Sequence, residues 1–160
     1  MAGIMLRNLE ETRRMGRWLA AHLPGSGVRA LLLRGPLGSG KTTLTSALVQ
    51  ALPGGGAAEV ASPSFTMCNH YPTTPPVLHC DLYRGAGGLP DEILDGLENP
   101  AVLTVVEWAE YLPTADLPEE ILDISLQACE VSRLLTLKAH GSGAAALLQD
   151  LRAQWPENDE

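Results

Sequence analysis

The amino-acid sequence predicts an α/β fold, a three-layer sandwich in which helices cover both faces of a mixed β-sheet. Residues 28–34, "VRALLLR", are typical of a short buried strand, and a glycine-rich segment after them leads into a helical pattern, "KTTLTSALVQAL". This order of strand, loop and helix is typical of sheets with parallel central strands. Two later segments, "ILDISLQA" and "SRLLTLKAH", show partial period-two alternation. That pattern favours antiparallel strands at an edge of the sheet, so the sheet is expected to be mixed.

The first predicted helix begins after residue 8. Asn8 is followed three positions later by Glu11, which is the spacing of a helix N-cap and its acidic partner. Apolar residues then recur at helical spacing, namely Met15, Trp18, Leu19 and Leu23. The segment "LPGSG" predicts the end of this helix.

The second predicted helix follows the glycine-rich loop and has an apolar face formed by Leu44, Leu48, Ala51 and Leu52. The next segment, "LPGGGAAEVASPS", is rich in glycine and small residues and predicts a flexible connection. Beyond it, "FTMCNHY" and "PVLHCDLY" resemble strands on either side of a proline-rich turn, "PTTPP". We expect these two segments to form a β-hairpin.

The remaining elements continue the same alternation. The segment "LPDEILDGLENP" predicts a short helix with an acidic exterior, and "AVLTVVEW" predicts an apolar strand that ends in a carboxylate. After the two antiparallel strands, a final helix should begin near Gly143, with an apolar stripe formed by Leu147, Leu148, Leu151 and Trp155. We expect residues 1–156 to form one domain and residues 157–160 to be a frayed tail.

Composition argues against several classes of protein. No apolar run in the 160 residues approaches the ~20 that a membrane-spanning helix needs, and the first residues lack a signal-peptide core. We therefore expect a cytoplasmic protein with no membrane partner. No two of the three cysteines have the spacing of a CxxC motif, which favours reduced thiols. The net charge of −8 opposes direct, nonspecific binding to nucleic acid.

The most specific motif is "GPLGSGKTT", residues 35–43, which contains one of the two lysines of the chain. Gly35, Gly40, Lys41 and Thr42 fit the pattern G-x-x-x-x-G-K-(S/T), the phosphate-binding loop of nucleoside triphosphatases. In such a loop, backbone N–H groups surround the phosphates, the lysine reaches the β- and γ-phosphates, and the hydroxyl ligates magnesium. The following helix adds the positive end of its dipole. The motif therefore predicts a P-loop NTPase-type fold that binds a nucleotide and Mg²⁺.

A phosphate-binding loop also needs a carboxylate near the magnesium ion, usually at the end of an apolar strand. Asp81 ends "VLHCD" and Glu107 ends "AVLTVVE". Alternation along the first of these strands places His79 and Asp81 on one face and Cys80 on the other. Either carboxylate could bind the metal or orient the hydrolytic water, and the sequence does not decide between them.

The hairpin offers a second interpretation, a zinc site. Cys68, His70, His79 and Cys80 are all possible zinc ligands. Because His79 and Cys80 are adjacent and point to opposite faces of a strand, one site could hardly use both. The nucleotide and magnesium site is therefore the favoured interpretation.

Four segments together resemble one known family. "GPLGSGKTT", "SPSFT", "HCDLYR" and "VVEWAEYL", in this order and across most of the chain, resemble the small bacterial ATPases of the TsaE, or YjeE, family. The resemblance implies a slow, magnesium-dependent ATPase that is required to make threonylcarbamoyladenosine, the modified adenosine next to certain tRNA anticodons. It also implies action with a TsaD-type threonylcarbamoyl transferase and its TsaB-type companion, so that tRNA is reached only through that complex.

The same resemblance implies roles for individual residues. Thr12 and Arg133 would lie near the base, and the full set of ATP-binding residues would be Thr12, Gly35, Leu37, Gly38, Ser39, Gly40, Lys41, Thr42, Thr43 and Arg133. Thr42, Asp81 and Glu107 would surround magnesium. Lys41, Asp81 and Glu107 would serve catalysis.

Other family features apply less directly to this chain. The segment "SPSFT" would act as a switch that senses the γ-phosphate, although Ser64 stands where the family more often has threonine. Pro36 stands where an acidic residue is common. Arg84 is a candidate internal arginine finger, and Trp108 would lie near the site if Glu107 binds the metal.

The sequence motifs are compatible with three functions. The first is the partner-dependent ATPase, the second a small-molecule kinase, and the third a nucleotide-gated binding module with negligible turnover. A kinase usually closes an arginine-bearing lid over its acceptor, and the sequence has no obvious lid. A guanine-binding N-K-x-D tetrapeptide is absent from the sequence, which favours adenine.

Overall fold

We describe the protein from a computed structural model, which covers residues 2–63, 67–83 and 89–155. Within these ranges the elements, in chain order, are β1 Ala2–Leu6, α1 Leu9–His22, β2 Ala30–Arg34, α2 Lys41–Ala51, β3 Cys68–Tyr71, β4 Val77–Asp81, α3 Asp91–Glu98, β5 Leu103–Glu107, β6 Ile121–Cys129, β7 Ser132–His140 and α4 Ser142–Gln154. Two single 3₁₀ turns, Ala109–Tyr111 and Thr114–Asp116, follow β5. The predicted tail at residues 157–160 lies outside the described residues.

The strands form one seven-stranded sheet in the order β1-β7-β6-β2-β5-β4-β3. The central strand β2 is parallel to both β5 and β6, and β4 is parallel to β5. The pairs β3–β4, β6–β7 and β1–β7 are antiparallel. The predicted mixed sheet and hairpin are therefore confirmed.

Helices cover the two faces of this sheet. Helices α1, α2 and α4 pack on one face, where Leu31 and Leu33 of β2 are buried. Helix α3 packs on the other face together with Leu32 of β2. Because consecutive side chains of a strand point to opposite faces, the apolar run of β2 serves both cores. The predicted three-layer α/β sandwich is confirmed.

The start of α1 follows the predicted capping pattern. The side-chain oxygen of Asn8 accepts a hydrogen bond from the backbone N–H of Glu11 at 2.9 Å. The Glu11 carboxylate accepts one from the backbone N–H of Arg7 at 2.6 Å. Met15 and Leu19 are fully buried, so the cap fixes where the helix begins and the apolar stripe fixes which face it buries.

The structure differs from the predicted elements at four places. Strand β1 was not predicted, because "AGIML" is short and contains glycine, and it becomes a strand only by pairing with β7, where Ile4 lies opposite Leu135. Consequently β7 is not at the edge of the sheet. Ala51 is exposed rather than part of the apolar face of α2. Strand β3 begins at Cys68, and the residues 64–66 before it lie outside the described ranges.

Two further findings concern membranes and cysteines. Each helix in the described ranges is too short or too polar to cross a bilayer. The three cysteines are thiols, and Sγ of Cys68 lies 3.0 Å from Sγ of Cys80 in the hairpin.

Candidate nucleotide and magnesium site

The glycine-rich loop joins the carboxyl end of β2 to the first turn of α2. Gly35 has a φ of +139°, and a Cβ there would lie 2.4 Å from the backbone oxygen of Leu126. Gly40 precedes α2 with a φ of +105°. Both positions therefore need glycine, because their positive φ angles disfavour residues with a side chain. At Gly35 there is also no room for a Cβ. The loop brings the N-terminus of α2, with its unpaired N–H groups and positive dipole end, to the edge of the sheet.

Lys41 is the first residue of α2 and is only 5% exposed. Its Nζ donates to the backbone oxygens of Gly35 and, at 3.0 Å, Pro36. The same Nζ lies 4.2 Å from the ring centroid of Trp108. Burial lowers the pKa of the Lys41 ammonium, and nearby carboxylates, Glu107 first, oppose that shift. The direct contacts of this buried cation are neutral carbonyls and an aromatic face, and none of them is a carboxylate.

Glu107 ends β5 and is 2% exposed. One of its oxygens, Oε1, accepts a hydrogen bond from the Thr42 hydroxyl at 2.9 Å. The other, Oε2, contacts Nε2 of His79. The contact with Thr42 connects the end of β5 to the first turn of α2, where the loop ends.

Asp81 ends β4 and is paired in register with Glu107 on the neighbouring parallel strand. Its Oδ1 accepts from the backbone N–H of Tyr83 at 2.8 Å, and its Oδ2 accepts from the Ser62 hydroxyl at 2.7 Å. The carboxyl ends of parallel strands lie at the same edge of a sheet. The two predicted carboxylates therefore lie side by side next to the loop.

A cavity of about 470 Å³ lies between the loop and the two carboxylates. Its lining consists of Leu37, Gly38, Ser39, Gly40, Lys41, Thr42, Thr43, Ser62, Asp81, Tyr83, Glu107, Trp108 and Arg133. The lining combines a cation, helix N–H groups, hydroxyls and carboxylates. This mixture suits a ligand that carries both phosphates and a divalent cation.

Of the two residues predicted to lie near the base, only one lines the cavity. Arg133 lines the cavity, and its Nη2 lies 3.4 Å from the backbone oxygen of Gly38. Thr12 is buried in α1 and is not among the lining residues, so its contact with a base stays a prediction. Pro36 contributes its backbone oxygen to Lys41, which any residue at this position could provide. Ser64, Phe65, Thr66 and Arg84 lie outside the described residues.

The structure also bears on the zinc hypothesis. His79 contacts Glu107, whereas Cys80 lies against Cys68 on the opposite face of β4. His70 is exposed and pairs with Glu92 of α3. Across the described ranges, no group of three or more histidine, cysteine or acidic side chains is arranged to hold a metal. Magnesium differs in that it needs only one or two carboxylates together with water and substrate phosphates.

His79 is the site residue whose role the sequence did not indicate. The sequence indicates it only as a possible zinc ligand, although its alternation with Asp81 places both on one face of β4. Its contact with Glu107 depends on the alignment of β4 with β5, which is a long-range feature. For Ser62, the sequence predicts a place in a switch segment but not the bond that its hydroxyl makes with Asp81.

Comparison with known proteins identifies the family. The family model described as "Threonylcarbamoyl adenosine biosynthesis protein TsaE" matches residues 6–135. Two relatives called tRNA threonylcarbamoyladenosine biosynthesis protein TsaE are similar over most of their length. The one from Aquifex aeolicus is 36% identical over 81% of this chain and 95% of the relative. The one from Bacillus subtilis is 34% identical over 90% of this chain and 89% of the relative.

A solved structure agrees with these relatives. The crystal structure of YdiB from Bacillus subtilis superimposes with a TM-score of 0.75 and 28% identity, and the match covers 96% of this chain and 95% of that one. The fold, the family model and the relatives all agree. This chain belongs to the TsaE family of tRNA threonylcarbamoyladenosine biosynthesis proteins.

Proposed function

We propose that this protein binds and hydrolyses ATP in a magnesium-dependent way, and that this ATPase cycle serves the threonylcarbamoyladenosine modification of tRNA. The family membership supports the pathway. The observation that carries the proposed chemistry is the contact of Thr42, in the first turn of α2, with Glu107 beside the loop that holds Lys41. A hydroxyl and a carboxylate next to a phosphate-binding loop are the parts that a P-loop NTPase uses for magnesium.

The donor set fits magnesium. Thr42 Oγ1 and Glu107 Oε1 are hard oxygen donors only 2.9 Å apart, and Mg²⁺ prefers oxygen ligands with several retained waters. When bound, magnesium would neutralise charge on the phosphates. Asp81 supplies a second carboxylate on the neighbouring strand, which suits it to a place at the metal or to orienting the attacking water.

Lys41 and the start of α2 would hold the phosphates. The ammonium donates to the neutral oxygens of Gly35 and Pro36, and phosphate oxygens, which carry charge, are stronger acceptors. The N–H groups of the first helical turn would bind phosphate along the helix dipole. Arg133 belongs to β7, which lies on the other side of β2 from β5 and β4 in the sheet, and it would lie towards the nucleoside.

We further propose that hydrolysis is slow in the isolated chain and is stimulated by partners of the TsaD and TsaB types in the cytoplasm. The net charge of −8 is unsuited to gripping tRNA directly. The bond between Ser62 and Asp81 connects the site to the segment that continues into residues 64–66. A partner that moves this segment would change the surroundings of the catalytic carboxylate.

The test compares the two lysines of the chain. Lys41→Ala should lower ATP affinity or turnover at least ~10-fold, because it removes the cation that faces the phosphates. Lys138→Ala is the matched control, since Lys138 is exposed on β7. ATP affinity is measured by calorimetry, and phosphate release is measured with and without the two partners and in the presence of candidate acceptor metabolites.

The outcomes separate the three functions. Phosphate release that rises with the partners supports the proposal. Phosphate transferred to a metabolite would indicate a kinase, and tight ATP binding without release under any condition would indicate a binding module. Equal behaviour of the two lysine variants would contradict the nucleotide site itself.

A further inference from the structure

His79 is a buried polar residue in the fourth strand that the proposed chemistry does not use. Its side chain has no solvent exposure. Its Nε2 contacts Oε2 of Glu107, the oxygen that does not bind Thr42. Both oxygens of Glu107 therefore have a partner, one in the phosphate-loop helix and one in the neighbouring strand.

The surroundings of the imidazole indicate where its hydrogen lies. Within the described ranges, Nδ1 of His79 is buried without a hydrogen-bond partner. A hydrogen on that nitrogen would be a buried donor without an acceptor, which is costly. A hydrogen on Nε2 satisfies the contact, because Nε2 then donates to the Glu107 carboxylate.

We propose that His79 is a positioning residue for Glu107. The imidazole fixes Oε2, so the carboxylate cannot rotate about its terminal bond, and Oε1 stays directed at the Thr42 hydroxyl. This inference rests on the proposed function, in which Oε1 and Thr42 hold magnesium. Removing a residue that hydrogen-bonds to a metal ligand and orients it typically lowers metal affinity 10–100-fold.

The alternative is that His79 only fills the core. Its ring lies near that of Tyr71, with centroids 6.4 Å apart, and a buried imidazole contributes packing as well as a hydrogen bond. A test must therefore separate a donor at Nε2 from the volume of the ring.

Two substitutions make this separation. The amide nitrogen of glutamine reaches about as far as Nε2 of histidine, whereas that of asparagine reaches only as far as Nδ1. Both variants, His79→Gln and His79→Asn, remove the ring, but only the first keeps a donor within reach of Glu107. ATP affinity is measured by calorimetry for both, once with Mg²⁺ and once with EDTA, and thermal unfolding checks that each variant is folded.

We expect His79→Asn to lose at least ~10-fold of the affinity that magnesium adds, and His79→Gln to stay within about 3-fold of the parent chain. Affinity in EDTA should change little in either variant. A magnesium effect that falls equally in both variants, or in neither, would overturn the positioning role. Failure of the parent chain to bind ATP in either condition is a separate result, which would overturn the proposed function instead.

A second measurement needs neither metal nor turnover. Its result in the parent chain remains decisive even if a variant does not fold. Nitrogen-15 spectra of the histidines in the metal-free parent chain should show one ring whose Nε2 carries a hydrogen that exchanges slowly with water. Glu107→Ala should abolish this slow exchange. A ring protonated at Nδ1 only, or one that exchanges freely between tautomers in the parent chain, would show that the imidazole does not hold the carboxylate.

Discussion

Replacing Asp81 with asparagine should separate ATP binding from ATP hydrolysis. In the structure, Oδ1 of Asp81 accepts from the backbone N–H of Tyr83 at 2.8 Å, and Oδ2 accepts from the Ser62 hydroxyl at 2.7 Å. An asparagine oxygen can keep the first bond. Its amide NH₂ can replace the second, because a serine hydroxyl also accepts. The geometry of the site is thus retained while the negative charge is removed.

The magnitudes follow from these contacts. A hydrogen bond to a charged group contributes ~1.5–3 kcal/mol and a neutral one ~0.5–1.5 kcal/mol, so weakening two bonds costs on the order of 2 kcal/mol. Relief from burying a charge at a residue that is 5% exposed offsets much of that loss. We expect the free energy of unfolding to change by about 1 kcal/mol or less. Loss of a carboxylate that acts in the transition state should lower hydrolysis by ~10²–10⁴-fold.

Ser62→Ala is the matched control, because it keeps the charge of Asp81 and removes one of its donors. It should reduce stability by about 1 kcal/mol but reduce hydrolysis without partners less than ~10-fold. Stability is measured by urea unfolding, ATP affinity by calorimetry, and hydrolysis as phosphate release at saturating ATP, with and without partners. If Asp81→Asn loses ATP affinity as strongly as hydrolysis, or if Ser62→Ala loses partner-free hydrolysis as strongly as Asp81→Asn does, then the carboxylate is structural and the reasoning is refuted.

Two further predictions concern the scaffold. Gly35→Ala should lower the free energy of unfolding in urea by ~1–3 kcal/mol and weaken ATP binding, because the new Cβ would meet the Leu126 oxygen. Gly3→Ala is the control and should be nearly neutral, because a Cβ at Gly3 would have no atom within 4 Å. Equal effects of the two substitutions would contradict the steric argument. The backbone N–H groups of Ala144 and Gly143 at the start of α4 lower the pKa of Glu120. The folded chain therefore binds the proton of the Glu120 carboxyl group more weakly than the unfolded chain does. The stabilisation that ionised Glu120 gives to the fold is present above the ordinary carboxyl pKa and is lost as pH falls through the lowered pKa. Glu120→Gln should lower the midpoint of thermal unfolding near neutral pH and make this midpoint depend less on pH in the acid range, whereas Glu119→Gln should do neither. An unchanged pH dependence in Glu120→Gln would show that the Glu120 carboxylate does not cap the start of α4.

Features encoded locally in the chain were predictable. The glycine-rich loop has glycines and a lysine at fixed spacing, so its backbone requirements appear in consecutive residues, as at Gly35 and Gly40. The start of α1 at Asn8 is a local feature of the same kind. Strand β1 was missed because nothing in "AGIML" alone requires a strand, and its pairing partner lies about 130 residues further along the chain. The same limit applies to His79, whose partner Glu107 is fixed by the alignment of two strands.

The two carboxylates show why the sequence could not assign separate roles to them. Asp81 and Glu107 both end apolar strands, and the sequence offers no reason to prefer either as the metal ligand. Their partners in the structure differ. Glu107 is bound to Thr42 in the phosphate-loop helix, so its position follows that of the loop. Asp81 is bound to Ser62, in the connection that leads from α2 to β3, so its position follows that segment. A fixed carboxylate suits magnesium, whereas one tied to the proposed switch segment suits the partner-controlled step that we propose. We therefore expect Glu107→Gln to change mainly the magnesium dependence of ATP binding, and Asp81→Asn to abolish hydrolysis, including the part that partners stimulate, while ATP binding is kept.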